Sequence, residues 1–145
     1  MPCVRDLLAR KGPGVTSLAP TATILEAAIL MNTMGVGSVL VCESNRPVGI
    51  FTERDLLRRV VAAERLPSDV TLRDVMTTGL ATCTRETEIE QCAAIMTERR
   101  IRHLPVVDDA GAVIGVVSIG DVVAHRVAEQ DEKIEALNRY IYDVR

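Results

Sequence analysis

The chain has 145 residues, 48% of them apolar, which is enough for one compact unit or two very small ones around a buried core. Its 17 basic and 20 acidic side chains leave a net charge of -3, and its only aromatic rings are Phe51, Tyr140 and Tyr142. It therefore has neither a basic field to gather nucleic acid nor rings on which bases could stack. No apolar run reaches the roughly 18 to 20 residues of a membrane span, and no apolar secretory segment follows basic residues at the N-terminus. A soluble, cytoplasmic protein is expected, with no nucleic-acid or membrane partner.

In chain order, a short strand over Val15 to Leu18 precedes a helix whose apolar residues Ile24, Ala27, Ala28 and Met31 recur at helical spacing. A β-branched run from Ser38 to Cys42, a polar turn from Glu43 to Pro47 and a second run from Val48 to Thr52 predict a β-hairpin leading into a second helix. Arg65 to Asp69 reads as a linker, with Pro67 stopping the preceding helix. The order then repeats: a strand over Leu80 to Cys83, a helix carrying Ile89, Cys92, Ala93 and Met96, a run Leu104 to Val107, a turn Asp108 to Ala112 and a run Val113 to Ser118. The last helix continues beyond the repeat, with Val123, Val127, Gln130, Ile134, Leu137 and Ile141 spaced alternately by four and three. That stripe suits either a second subunit or the protein's own sheet.

Sliding the chain by 65 residues puts Ile24 on Ile89, Ala28 on Ala93, Met31 on Met96 and Val41 on Val106. One extra turn residue then shifts the offset to 66, and Gly49, Thr52 and Asp55 fall on Gly115, Ser118 and Asp121. Near the front, Arg5-Asp6 resembles Arg73-Asp74, the polar stretch Arg10 to Gly14 absorbing the difference. The organisation is α+β: a first repeat over residues 1–66, a second over 67–128 and a helical extension over 129–145. Each repeat runs strand, helix, strand, strand, helix, and each is small enough to need the other.

In both copies a hydroxyl and a carboxylate stand three residues apart at a strand-to-helix junction, and a glycine precedes the hydroxyl by three. That spacing suits a capping box, in which the side-chain oxygen accepts from the backbone N–H three residues on. It also suits a nucleotide: the hydroxyl beside free helix N–H groups holds a phosphate oxygen, the carboxylate accepts from ribose hydroxyls, and glycine permits close approach. Aliphatic walls and backbone would then hold the adenine. Only the second copy carries Arg99-Arg100-Ile101-Arg102-His103 before its hairpin, where the first has Met34-Gly35-Val36-Gly37-Ser38. Arg99 and Arg100 suit a helix C-terminus, whereas Arg102 and His103 are expected to meet phosphates, with Arg54 acting likewise in the first copy.

These residues resemble paired CBS domains, the cystathionine beta-synthase repeats that form the adenosine-sensing Bateman module. The resemblance covers about residues 4–128 and rests on the doubled hairpin-to-helix signature and on Ile101-Arg102-His103-Leu104-Pro105-Val106-Val107-Asp108. With the tail Glu132 to Tyr142, the whole chain is similar to small stand-alone CBS-pair proteins that carry no catalytic domain. The resemblance implies two repeats packed with pseudo-two-fold symmetry, two clefts and a homodimer. It assigns ribose to Asp55 and Asp121, phosphate or ribose oxygens to Thr52 and Ser118, phosphates to Arg102 and His103, and close approach of the ligand to Gly49 and Gly115. Thr16 and Ala81 align with positions lining the adenine slot. Gly37-Ser38 departs from the Arg-His pattern, which weakens the first cleft unless Arg54 substitutes.

The leading expectation is a regulatory binding module for an adenosine-containing ligand (AMP, ADP, ATP, NAD(H) or S-adenosylmethionine) that modulates an unidentified client protein, with no catalytic cofactor and no metal. A structural dimerising module, with its signature residues acting only as caps, is the second reading. A thiol switch, requiring Cys42 to approach Cys83 or Cys92, is the third. Neither the two histidines, His103 and His125, nor the four thiols, Cys3 among them, show the spacing of a catalytic or zinc site. The cysteines are expected reduced and mostly buried.

Overall fold

The chain folds in the order α1 (Val4–Lys11), β1 (Ser17–Leu18), α2 (Ile24–Met34), β2 (Ser38–Glu43), β3 (Arg46–Thr52) and α3 (Glu53–Asp55), the last running on as a π-helical turn over Leu56–Val61. After a 3-10 turn at Pro67–Asp69 come α4 (Leu72–Val75), α5 (Ile89–Arg99), β4 (His103–Val107), β5 (Val113–Ser118) and α6 (Ile119–Asp143). This computed structural model describes residues 1–12 and 14–143. Of the expected extension over 129–145, residues 144–145 lie outside the described residues.

Both predicted hairpins form. β2 pairs antiparallel with β3, and β4 with β5, with bulges at Val41/Cys42 and Val106/Val107, positions that the 65-residue offset superimposes. The turn between β2 and β3 is Ser44-Asn45, both at positive φ (50° and 62°), the left-handed geometry that matches the twist of a two-residue hairpin. The helices start as their caps dictate. Thr23 accepts from the Glu26 N–H at 3.1 Å to open α2, which ends at Gly35 in the left-handed region.

Two expectations need correction, and one of the two alternatives for α6 falls away. The first strand of each repeat is shorter than Val15 to Leu18 and Leu80 to Cys83: β1 keeps two residues, and the second copy retains only a bridge, Cys83 to Val106. Just ahead of that segment, a separate bridge joins Thr77 to Ile50 of the first copy. Pro67 does not stop the preceding helix, which has already ended at Val61. It opens the 3-10 turn, where its fixed φ is an advantage. The stripe on α6 does not fold back on the sheet: Val123, Val127, Ile134, Leu137 and Ile141 are all more than half exposed, while Val122 and His125 face inward.

The cores are exchanged between the repeats of the sequence. Val4 and Leu7 of α1 are buried with Cys83, Ile89, Cys92, Leu104, Val106 and Val117, which belong to the second copy. Val70, Leu72 and Val75 are buried with Ile24, Ala27, Val39, Val41 and Phe51 of the first. Each exchanged side chain contributes roughly 1.5–3 kcal/mol by burial, so each copy depends on the other for part of its core. A third cluster, Leu40, Ile50 and Val113 with Val15, Leu80 and Val116 against it, joins the two sheets face to face. The result is α+β, two repeats packed about a pseudo-two-fold axis with a long C-terminal helix, as expected.

Candidate functional site

The two signature junctions fold alike and end up in different surroundings. In the first copy the Asp55 N–H donates to Thr52 Oγ1 at 3.3 Å, and Asp55 Oδ2 accepts from the Thr52 N–H at 3.0 Å. The Thr77 hydroxyl donates to Asp55 Oδ1 at 3.2 Å and Arg59 Nε stands 3.7 Å from the same oxygen. Asp55 is 7% exposed, so its carboxylate is both buried and fully partnered. In the second copy the Asp121 N–H donates to Ser118 Oγ at 3.1 Å, and Asp121 Oδ2 accepts from the Ser118 N–H at 2.8 Å. Its other partner is Lys11, whose ammonium donates to Asp121 Oδ2 at 2.9 Å and to the Val116 carbonyl at 2.7 Å.

A cavity of about 1030 Å³ opens beside this second junction, at the upper end of what encloses a small molecule. Thr16, Val36, Gly37, Ser38 and Leu40 line it from the first copy, and His103, Ile114, Gly115, Val116 and Ser118 from the second. Leu8 and Lys11 of α1 complete one wall, and Arg5 and Arg85 also reach it. Burial holds the His103 imidazole below its ordinary pKa, the Lys11 ammonium adds to the effect, and the Asp121 carboxylate opposes it.

Of the residues singled out in the sequence, Thr16, His103, Gly115 and Ser118 line this cavity, and Asp121 meets it through Lys11. Gly49, Thr52 and Asp55 are gathered at the other junction and do not line it, although Ser38, the cross-strand partner of Thr52, does. Ala81 packs against the second core. Arg102 and His103 do not act side by side. Arg102 lines a separate hollow of about 280 Å³ with Arg54, Arg100 and Ile119, because consecutive extended residues point to opposite faces. Arg54 lines this hollow and not the larger cavity. The closest neighbour of each signature glycine is the chain itself. A β-carbon on Gly49 would lie 2.5 Å from Met76 Sδ, and one on Gly115 2.6 Å from Leu8 Cδ2. Lys11, Arg5 and Arg85 went unnoticed in the sequence, where nothing marks a contact spanning 110 positions.

The thiols are all free; Cys83 and Cys92 are buried, and Cys3 and Cys42 half-buried. Cys42 does not pair with either of the other two candidates. It bonds Ser17, and burial raises its pKa. The Cys83 thiol donates to the Pro105 carbonyl at 3.7 Å, and the neighbouring Cys92 together with burial pushes its pKa up. Among the described residues no group of three or more His, Cys, Asp or Glu is placed to hold a metal, and no helix is long and apolar enough to cross a membrane.

The sequence model of the CBS domain matches this chain twice, at residues 4–62 and 72–128. The chain belongs to the CBS-domain family. It is 40% identical over 124 residues to the mitochondrial CBS domain-containing protein CBSX3 of Arabidopsis thaliana, covering 82% of this chain and 60% of that one. The chain spans 54% of another relative, from Methanopyrus kandleri, so these curated relatives are considerably longer than the shared part. Among solved structures, a CBS-domain containing protein from Agrobacterium tumefaciens matches with TM-score 0.80 and 37% identity, over 86% of this chain and 98% of that one. A CBS domain protein from Pyrobaculum aerophilum complexed with AMP matches with TM-score 0.74 and 31% identity, over 82% of this chain and 88% of that one. The exchanged cores and the two junctions described above are thus those of a CBS-domain pair.

Proposed function

We propose that this CBS pair is a regulatory module that binds an adenosyl ligand, AMP, ADP, ATP or NAD(H), in the cavity between its repeats and passes the occupancy to a client protein. The observation that carries this reading is the cavity beside Ser118 and Asp121, faced by both copies and large enough for a nucleotide. Thr16, Leu40, Ile114 and Val116 supply the aliphatic slot for adenine, Asp121 the acceptor for the ribose diol, and Ser118 and His103 the phosphate end. The AMP held by the Pyrobaculum relative supports the ligand class. Both repeats contribute to this cavity, the arrangement suited to reading ligand occupancy as a change between them.

A ligand wedged between two sheets shifts their angle only if it binds the two arrangements unequally, and the cavity contacts both copies as that requires. The units 1–66 and 67–128, the extension 129–145, a homodimer built on the exposed α6 stripe and a cytoplasmic location belong to the same reading. For the first junction a structural role is favoured, because Asp55 is buried and its oxygens are taken by Thr52 and Thr77. A thermal-unfolding panel with AMP, ADP, ATP, NAD(H) and adenosine tests the proposal. A ligand at 100 times its Kd adds about 2.7 kcal/mol, several degrees for a chain of this size. No shift with any adenine compound leaves the purely structural module.

A further inference from the structure

We infer that Lys11 makes the cavity selective for phosphorylated adenosyl ligands over neutral and cationic ones, by acting as an exchangeable counter-ion to Asp121. The inference rests on the adenosyl reading of the same cavity. Lys11 ends α1, more than a hundred residues from its partners, and its ammonium bridges Asp121 Oδ2 at 2.9 Å and the Val116 carbonyl at 2.7 Å. Both partners lie at the end of β5 and the start of α6, where the carboxylate would meet a diol. Asp121 Oδ2 is also held by the Ser118 N–H, so a diol gripping both carboxylate oxygens must move the ammonium.

What happens next depends on the ligand's charge. A phosphate on the same ligand gives Lys11 a new anionic acceptor within reach of its flexible stem, so the exchange replaces one charge-assisted bond with another. A neutral nucleoside offers no replacement for that charge-assisted bond and leaves the ammonium only the Val116 carbonyl and water. A sulfonium is worse, because it adds a like charge to a lining that already carries Arg5, Arg85 and Lys11, whose positive charges outnumber the single Asp121 carboxylate beside them. Arg5 is paired with Glu86 at 3.0 Å, whereas Lys11 is the cation in direct contact with the signature carboxylate. The side chain of Lys11 is 39% exposed, which leaves it free to swing.

Calorimetry with adenosine, AMP and S-adenosylmethionine on the full chain, on Lys11→Met and on Lys11→Arg tests this. The natural chain should bind AMP most tightly and S-adenosylmethionine least. Lys11→Met should bind adenosine more tightly and AMP more weakly, narrowing the AMP-to-adenosine ratio by about tenfold or more, the worth of one hydrogen bond to a charged group. Lys11→Arg should keep the ratio, and thermal unfolding of each variant should report an intact fold. An unchanged ratio in Lys11→Met, or equal weakening of both ligands, overturns the role of Lys11 while leaving the adenosyl reading in place. Failure of the natural chain to bind any of the three, or any of ADP, ATP and NAD(H) in the same titration, overturns that reading, and the inference with it.

Discussion

Leu8 lies so close against Gly115 that a β-carbon on the glycine would stand 2.6 Å from its Cδ2. The same relationship recurs about the pseudo-two-fold axis between Met76 and Gly49, where Thr77 O also lies 3.1 Å from the added carbon. Each glycine therefore admits a residue of the segment exchanged from the other repeat. Gly49→Ala should cost about 1–3 kcal/mol, because a backbone carbonyl must shift as well as a thioether. Gly115→Ala should cost less, since only the tip of a leucine gives way. Urea unfolding measures both, and Leu8→Ala combined with Gly115→Ala should fall short of the sum of the two single changes. Strict additivity would mean that the two residues do not press on each other.

The two signature aspartates should respond oppositely to truncation. Asp55→Ala strands the Thr52 N–H and the Thr77 hydroxyl in a buried site, so it should lower stability by about 1–3 kcal/mol with little effect on AMP affinity. Asp121→Ala removes a more exposed cap, costing about 0.5–2 kcal/mol, and should abolish AMP binding. Arg102→Ala should leave AMP affinity at the cavity nearly unchanged, since Arg102 lines the other hollow. Paired calorimetry and denaturation separate these effects. Loss of AMP binding in Asp55→Ala but not in Asp121→Ala would move the ligand to the first junction.

These contrasts mark what the chain discloses on reading and what it withholds. Hairpins, caps and the doubled junction are local, and Thr52 to Asp55 and Ser118 to Asp121 bond as their spacing implies. The exchange of α1 and α4 between cores leaves no local trace, because Val4 and Leu7 present the same apolar face whichever core receives them. Arg102 and His103 are adjacent in sequence and separate in space for the simple reason that extended chain alternates its side chains. The contact of Lys11 with Asp121 is set by tertiary packing alone.

His103 gives the fold a pH dependence of known sign. Burial and Lys11 depress its folded pKa, so as pH falls below about 6.5 the unfolded chain takes up a proton before the folded one does. Stability contributed by the neutral imidazole should therefore be complete above that pH and decline on acidification. His103→Gln should flatten this slope in denaturation curves recorded between pH 7.5 and 5.5, values set by the ordinary histidine range of about 6.5. A bound phosphate favours the protonated ring, so AMP should lessen the decline in the natural chain and not in the variant. Identical slopes in both proteins would remove His103 from the account.

The C-terminal half of α6 offers the last test. Val122 and His125 are buried, and Arg126 pairs with Glu90 of α5 at 2.8 Å, so the first turns of the helix are fixed to the second core. From Asp131 to Ile141 every residue is exposed, yet Ile134 (55% exposed), Leu137 (60%) and Ile141 (57%) keep to one stripe. A stripe that packs on nothing within its own chain adds little to monomer stability, and its alternating spacing of four and three is that of a helix seam. If the proposed homodimer is built on this seam, Ile134→Glu with Leu137→Glu should halve the mass seen by light scattering, while the thermal unfolding of the resulting monomer becomes independent of protein concentration. The burial of Val122 and the Arg126–Glu90 pair predicts that the variant still folds, which near-ultraviolet and far-ultraviolet dichroism would report. A dimer of unaltered mass in the double variant would shift self-association to the other exposed apolar residues, Leu25 and Ile29 of α2 with Leu57 and Val61 of the π-helical turn.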